Sequence, residues 1–241
     1  MIVADWTAPN HVKTLITTRQ GGISLAPFDS NNLGDHVGDS PHHVAYNRKI
    51  LAKKVKHDIV WLNQTHSTIV LPLSQGSIHE QVNADASFSD APKTPCCVMT
   101  ADCLPLLVTN FSGTKIAAIH GGWRGLAGGI IENTLSHFQE SPSQLMVWLG
   151  PAIGPRQFEV GQDVVDIFVN RDIDNKRCFL PHGSMYFADI YQLARNILQA
   201  YGVTQISGGN HCTVEQEGEF FSYRRDGQTG RMASLIWIEN N

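Results

Sequence analysis

Three side chains in this 241-residue chain, His66, Cys103 and His120, are of the types that hold a catalytic metal. Each lies at the end of an apolar run that reads as a β-strand, where loops on a rigid scaffold carry site residues. His66 falls in Gln64-Thr65-His66-Ser67, Cys103 in Ala101-Asp102-Cys103 between two apolar runs, and His120 at the end of a third. Two imidazoles and one thiolate suit catalytic zinc, which keeps a fourth position open for water or substrate. The same residues also allow a metal-free chemistry, with Cys103 as nucleophile and His120 or His66 as its base. Their long separations in sequence leave both open. Each residue also has a plainer use: a histidine at a strand end as a hydrogen-bonded structural group, a cysteine between apolar runs as a small buried hydrophobe.

A second chemistry is written into His120-Gly121-Gly122-Trp123-Arg124-Gly125, a glycine-rich turn from strand to helix. Glycines let a ligand approach the backbone, a helix start favours an anion, and Arg124 adds a guanidinium able to grip phosphate or carboxylate at two points. The Gly-Lys-Ser/Thr ending of a P-loop is missing. Arg19, before a Gly-Gly turn, and Arg48, beside Asn47, are further anion-binding candidates, as are Arg224, Arg225 and Arg231; any one alone reads as a surface charge. Cys96, Cys97, Cys178 and Cys212 read as packing, His42 and His43 as solvated, and His211-Cys212 lacks a third ligand.

The elements that position these residues follow from hydrophobic period and breakers. Strands are expected over 12–18, 59–63, 68–73, 96–100, 104–109, 115–119, 145–149, 220–224 and 232–238. Ser40-Pro41 reads as an N-cap with proline at the first helical position, opening a helix to about Val55. Leu126, Ile130, Ile131, Leu135 and Phe138 predict one helix, Val164, Val165 and Phe168 a short one, and Ile190 to Tyr201 an amphipathic one stopped by Gly202. Residues 19–34 form a long irregular segment of the kind that is often functional. Strands outnumber helices without strict alternation, which favours a mixed α/β sandwich over a doubly wound sheet. The expectation is one domain over 1–241, mixed β-sheets flanked by helices.

Composition narrows the class. At 42% hydrophobic and 17% charged residues, the chain is not disordered, and a protein this size buries roughly 70% of its unfolded surface. A net charge of −4 gives no basic footprint for nucleic acid. No apolar run is long enough for a membrane span, and the N-terminus lacks a secretory pattern. Five cysteines in a chain too long to need staples point to free thiols and a cytoplasmic setting.

The motifs resemble one family. Thr18-Arg19-Gln20-Gly21-Gly22-Ile23-Ser24, Asn32-Leu33-Gly34-Asp35-His36-Val37-Gly38-Asp39 and Asn47-Arg48 are similar to its N-terminal signature. Gln64-Thr65-His66, Thr100-Ala101-Asp102-Cys103-Leu104-Pro105 and the His120–Gly125 motif resemble its core. Leu149-Gly150-Pro151-Ala152-Ile153-Gly154, Cys212-Thr213, Ser222-Tyr223-Arg224-Arg225-Asp226 and Thr229-Gly230-Arg231 complete the match. The family is the laccase-domain proteins, also called purine nucleoside phosphorylase / polyphenol oxidase-like. Gly121 departs from its usual alanine, and Thr65 from a common valine.

The resemblance implies a single mixed α/β/α domain with zinc on His66, Cys103 and His120. It implies a small-molecule enzyme that phosphorolyses adenosine, inosine and methylthioadenosine and deaminates adenosine. For these reactions Arg124, with Arg48 or Arg19, is the expected phosphate clamp, and Asp102 or Asp85 the expected proton shuttle in deamination. Alternatives within the resemblance are a peptidoglycan-editing hydrolase that removes L-serine from a UDP-muramoyl precursor and a copper polyphenol oxidase. Laccase chemistry needs several coppers and more histidine pairs than the chain offers. A zinc-stabilised binding protein without turnover is a further alternative, against which stands the three-ligand set, since structural zinc takes four protein ligands.

Overall fold

A computed structural model of the chain describes residues 1–74, 76 and 82–239. In chain order the elements are β1 (Val12–Ile16), α1 (Pro41–Val55), β2 (Val70–Leu73), β3 (Ala86–Ser89), β4 (Cys96–Thr100), β5 (Leu104–Asn110) and β6 (Ile116–Gly121). Then come α2 (Trp123–Gly128), α3 (Ile130–Leu135), β7 (Leu145–Leu149), β8 (Glu159–Val160), α4 (Gln162–Arg171), β9 (Phe179–His182) and β10 (Met185–Ala188). The last are α5 (Ile190–Tyr201), β11 (Gln205–Gly208), α6 (Tyr223–Asp226) and β12 (Met232–Ile238).

The period of two along the strands builds layers, because successive side chains point to opposite faces. On β5, Leu104, Leu106 and Val108 pack towards α3 and α5, while Leu107 packs the other way. On β6, Ala117 and Ile119 share the first face and Ile116 and Ala118 the second. On β4, Cys96 and Val98 meet that second face, and Cys97 and Met99 turn to Leu51 and Val55 of α1. The order is therefore α1, the antiparallel sheet β1-β12-β4, the mixed sheet β11-β7-β5-β6-β3-β2, then the remaining long helices. A small sheet, β8-β10-β9, stands apart. Burial on both faces explains why these strands read as unbroken apolar runs. The mixed sandwich expected from the sequence is present, and no helix among the described residues is long and apolar enough to cross a membrane.

Several elements differ from expectation. Residues 59–63 form no strand; Asn63 alone makes a bridge, to Asn83. The helix expected through Leu126 and Phe138 breaks at Gly129, whose φ of 101° caps α2 through bonds to the carbonyls of Gly125 and Leu126. Residues 220–224 are not a strand either. Phe220 and Phe221 are buried with Met232, and the Ser222 side chain accepts from the Arg225 amide, starting the one-turn α6 instead. Ser40 stands at the N-cap of α1 but makes no side-chain cap bond.

The irregular segment after β1 is fastened by buried Asn47 of α1. Its amide nitrogen donates to Ser24 Oγ and to the carbonyls of Ser30 and Asn32, and its oxygen accepts from the Ile23 amide. Asn47→Ala is expected to destabilise the protein by about 2–4 kcal/mol, since it orphans several buried polar groups. Urea denaturation checks this, and a loss below about 1 kcal/mol would show that the segment is held elsewhere.

Candidate metal centre

The turn between β4 and β5, the end of β6 and the loop before β2 converge. His66, Cys103 and His120 bring their ligand atoms within 4.8 Å of one another. Cys103 Sγ lies 3.7 Å from His66 Nε2, and the two imidazole rings are 4.8 Å apart, edge to face. In a tetrahedral zinc site the S and N ligands stand roughly 3.5 Å apart, so the donor set fits a borderline divalent ion. His120 is buried, Cys103 half-buried and His66 exposed. Gly122 leaves room for the cluster: a Cβ there would fall 2.7 Å from His66 Cδ2 and 3.2 Å from Cys103 Sγ.

Two buried aspartates hold these loops. Asp85 accepts from the amides of Thr65 (3.2 Å), His66 (2.9 Å) and Ser67 (2.6 Å), and from the Ser67 hydroxyl (2.6 Å). Converging amides of this kind form an anion-binding concavity, and His66 takes a left-handed φ of 60° within it. Asp85 Oδ1 also lies 2.8 Å from His120 Nδ1. That contact fixes the tautomer and leaves Nε2 for a metal, the carboxylate–histidine arrangement of metal sites. Burial works against the Asp85 charge, but His120 and Ser67 outweigh it and hold the carboxyl at about 2.

Asp102, next to Cys103, has φ 98°. Its Oδ1 accepts from the Thr213 hydroxyl at 2.6 Å and its Oδ2 from the Arg224 amide at 2.7 Å. Both carboxylates are thus committed to holding the loops. Gln64 adds a third anchor, exchanging bonds of 2.7 Å with the Met99 backbone in the manner of a strand partner.

Without metal the trio is an ion pair. Burial opposes the Cys103 thiolate, but His120 and His66 beside it draw the thiol down to about 6. Burial likewise opposes the His120 cation, but the thiolate and Asp85 hold it up at about 9. Alkylation of Cys103 in chelator-treated protein is therefore expected to rise with pH through about 6 and level off above it, because the thiolate is the nucleophile. Burial pushes Cys96 up to about 12 and Cys178 to about 11. Peptide mapping after iodoacetamide reads the profile, and a midpoint near the ordinary thiol value would contradict it.

The cluster opens into a cleft of about 260 Å³ whose wall includes His36, Gln64, Met99, Tyr223 and Arg231. The arginines expected to clamp an anion are not brought together there. Arg19 is spent on Asp29 and the Glu217 carbonyl. Arg48 donates to the Leu33 carbonyl, pairs with Asp35 and lies over Trp61. Arg124 stacks on its neighbour Trp123, and α2 has only six residues. His36 and Tyr223 were not singled out by type or spacing; only their place in family-like motifs marked them. A larger cleft of about 560 Å³ shares none of the trio.

A profile of the family described as multi-copper polyphenol oxidoreductase laccase matches residues 13–239. A protein of Escherichia coli (strain K12) named purine nucleoside phosphorylase YfiH is 51% identical over 99% of this chain and 98% of its own. Purine nucleoside phosphorylase PA4543 of Pseudomonas aeruginosa is 46% identical, over 99% and 98%. Among solved structures, Neisseria meningitidis NMB0706 superposes with a TM-score of 0.96 at 49% identity, covering 99% of each chain. YlmD of Geobacillus stearothermophilus gives 0.89 at 30% identity, covering 96% of this chain and 93% of that one. With the profile spanning nearly its whole length and relatives about half identical to it, the chain belongs to the multi-copper polyphenol oxidoreductase laccase family.

Proposed function

We propose that the chain is a metal-dependent purine nucleoside phosphorylase acting on adenosine, inosine or methylthioadenosine with inorganic phosphate. The observation that carries this is the trio His66, Cys103 and His120 meeting within 4.8 Å at a cleft, in a chain whose relatives are named purine nucleoside phosphorylases. In the reaction a phosphate oxygen bonds to the sugar C1′ as the C1′–N9 bond breaks. The base leaves with the bonding pair and takes up a proton. His66, Cys103 and His120 would hold the ion, Asp85 orients the His120 ring and fastens the backbone at His66, and Asp102 fixes the loop that presents Cys103. A bound divalent ion supplies Lewis acidity at the cleft.

Zinc is the proposed ion. One group of three close donors among the described residues suits a single ion, and oxidase chemistry of the laccase kind asks for several coppers. Deamination of adenosine and amide hydrolysis need a group that moves a proton to the leaving nitrogen. Asp85 and Asp102, the aspartates expected to do so, are already bonded. The same demand for a proton falls on the leaving purine in phosphorolysis, so the preference for phosphorolysis rests on the names of the relatives. The free cysteines support a reducing, cytoplasmic setting.

The test incubates zinc-loaded protein with adenosine, with and without phosphate, and in a separate arm with a UDP-muramoyl-serine precursor. Phosphate-dependent release of adenine with ribose 1-phosphate is expected. Inosine as the sole product would replace the reading with deamination, and serine release with inert adenosine would replace it with peptidoglycan editing.

A further inference from the structure

Beside the candidate metal centre stands an arginine that no carboxylate among the described residues neutralises and only part of whose guanidinium is used. Arg231 is half-buried. Its backbone is pinned: the amide donates to Asn32 Oδ1 at 2.9 Å, and the carbonyl accepts from the Leu33 amide at 3.2 Å. Its stem lies in a slot over Gly34, where a Cβ would come within 2.8 Å of Arg231 Cγ. Nη1 donates to the carbonyls of Thr229 and Gly230, each at 3.0 Å. Among the described residues, no carboxylate lies within ion-pair distance, and Nε and Nη2 have no hydrogen-bond acceptor. Burial works against its charge, while Cys103, Asp102 and Tyr223 favour it; the Asp102 oxygens already serve Thr213 and Arg224.

A guanidinium withdrawn from water costs free energy unless its donors are met, and its two-point fork matches oxyanions. Arg231 also marks a junction. It lines the metal-donor cleft and a second one of about 460 Å³, and shares both walls with His36 and Tyr223. Gln228 and Thr229 extend the second wall with neutral polar groups.

We propose that Arg231, with His36 and Tyr223 beside it, forms an oxyanion subsite that takes the phosphate co-substrate where the two clefts meet. The assignment of the anion as co-substrate rests on the phosphorylase reading; the subsite itself does not. An oxyanion seated there contacts the free edge of the guanidinium and lies next to the cluster that holds the ion. The anion could equally be inorganic phosphate or the phosphoryl group of a larger substrate, and the two are separable by competition.

The experiment measures binding of radiolabelled inorganic phosphate to the zinc-loaded protein by equilibrium dialysis, for the wild type, R231Q, R231K and R156Q. Arg156 is exposed and lines the other large cleft, so R156Q is the charge-matched control. R231Q is expected to weaken phosphate binding by about tenfold or more, with R231K recovering part of the loss and R156Q unchanged. Zinc content should stay within about twofold of the wild type, since Arg231 is not one of the three candidate ligands. Phosphate binding by R231Q within twofold of the wild type would overturn the proposal, as would an equal loss in R156Q. If R231Q does not fold, the decision passes to R231K and to G34A, which crowds the stem but keeps the guanidinium; both should bind phosphate less tightly at full zinc content, and wild-type affinity in both would overturn the proposal. Loss of phosphate binding in R231Q, with no nucleoside cleavage by the wild type, would uphold the subsite and refute the phosphorylase reading. Displacement of the bound phosphate by UDP would then identify the anion as part of a nucleotide substrate.

Discussion

Cys103→Ala is expected to strip the centre of its ion and to abolish nucleoside cleavage while leaving the fold in place. The thiolate is the one anionic donor of the three, and it stands at the turn between β4 and β5 rather than in the packed layers. Its removal leaves two imidazoles, one exposed and one buried. Loss of a supporting group alone lowers metal affinity by about 10–100-fold, and loss of a ligand costs more. Metal analysis after dialysis should fall from about one ion per chain to a small fraction of that. The circular dichroism spectrum should not change. Full zinc content in a folded Cys103→Ala protein would remove Cys103 from the ligand set.

Asp85→Asn is expected to be the most damaging single change near the site. One carboxylate serves three amides, a hydroxyl and a ring nitrogen. An amide side chain offers one oxygen and turns two N–H donors towards groups that are themselves donors. Breaking a buried charged pair from one side costs about 3–5 kcal/mol, and a metal-supporting contact is lost with it. Because the folded-state carboxyl is held at about 2 against an ordinary 3.8, its stabilisation is fully present above that ordinary value. It is lost as the pH falls through about 2. The deficit of Asp85→Asn should therefore persist at pH 5 and vanish only in strong acid. Urea titrations of both proteins at pH 5 and 7 measure it. A difference below about 1 kcal/mol would show that the amides around His66 find other partners.

The meeting of His66, Cys103 and His120 as a candidate donor set was legible because their chemistry is stated by residue type and their place by the ends of apolar runs. The sandwich was legible for the same reason: β4, β5, β6 and β12 are buried on both faces. What stayed hidden depends on contacts distant in sequence. Ala86-Ser87-Phe88-Ser89 has no apolar run, yet it is fully buried as β3, between β6 and β2. Phe220 and Phe221 look like strand residues, but Ser222 turns the chain into α6 after them. Asp85 was readable as a proton carrier and not as the anchor of a loop, because its donors come from the 65–67 segment and from His120. The arginines show the limit most sharply. Arg124, Arg48 and Arg19 have the right charge in suggestive motifs, and partners elsewhere absorb the last two. Arg231 differs from Arg48 and Arg19 in lacking a carboxylate within reach among the described residues and from exposed Arg124 in being half-buried, and no local pattern states either.

X-ray absorption at the zinc edge of the loaded protein tests most directly whether His66, Cys103 and His120 form a metal centre with one open position. The fit should return one sulfur at about 2.3 Å, two imidazole nitrogens at about 2.0–2.1 Å and one further light atom that changes when phosphate is added. A shell of oxygen and nitrogen without sulfur, or one with two or more sulfurs, would contradict it.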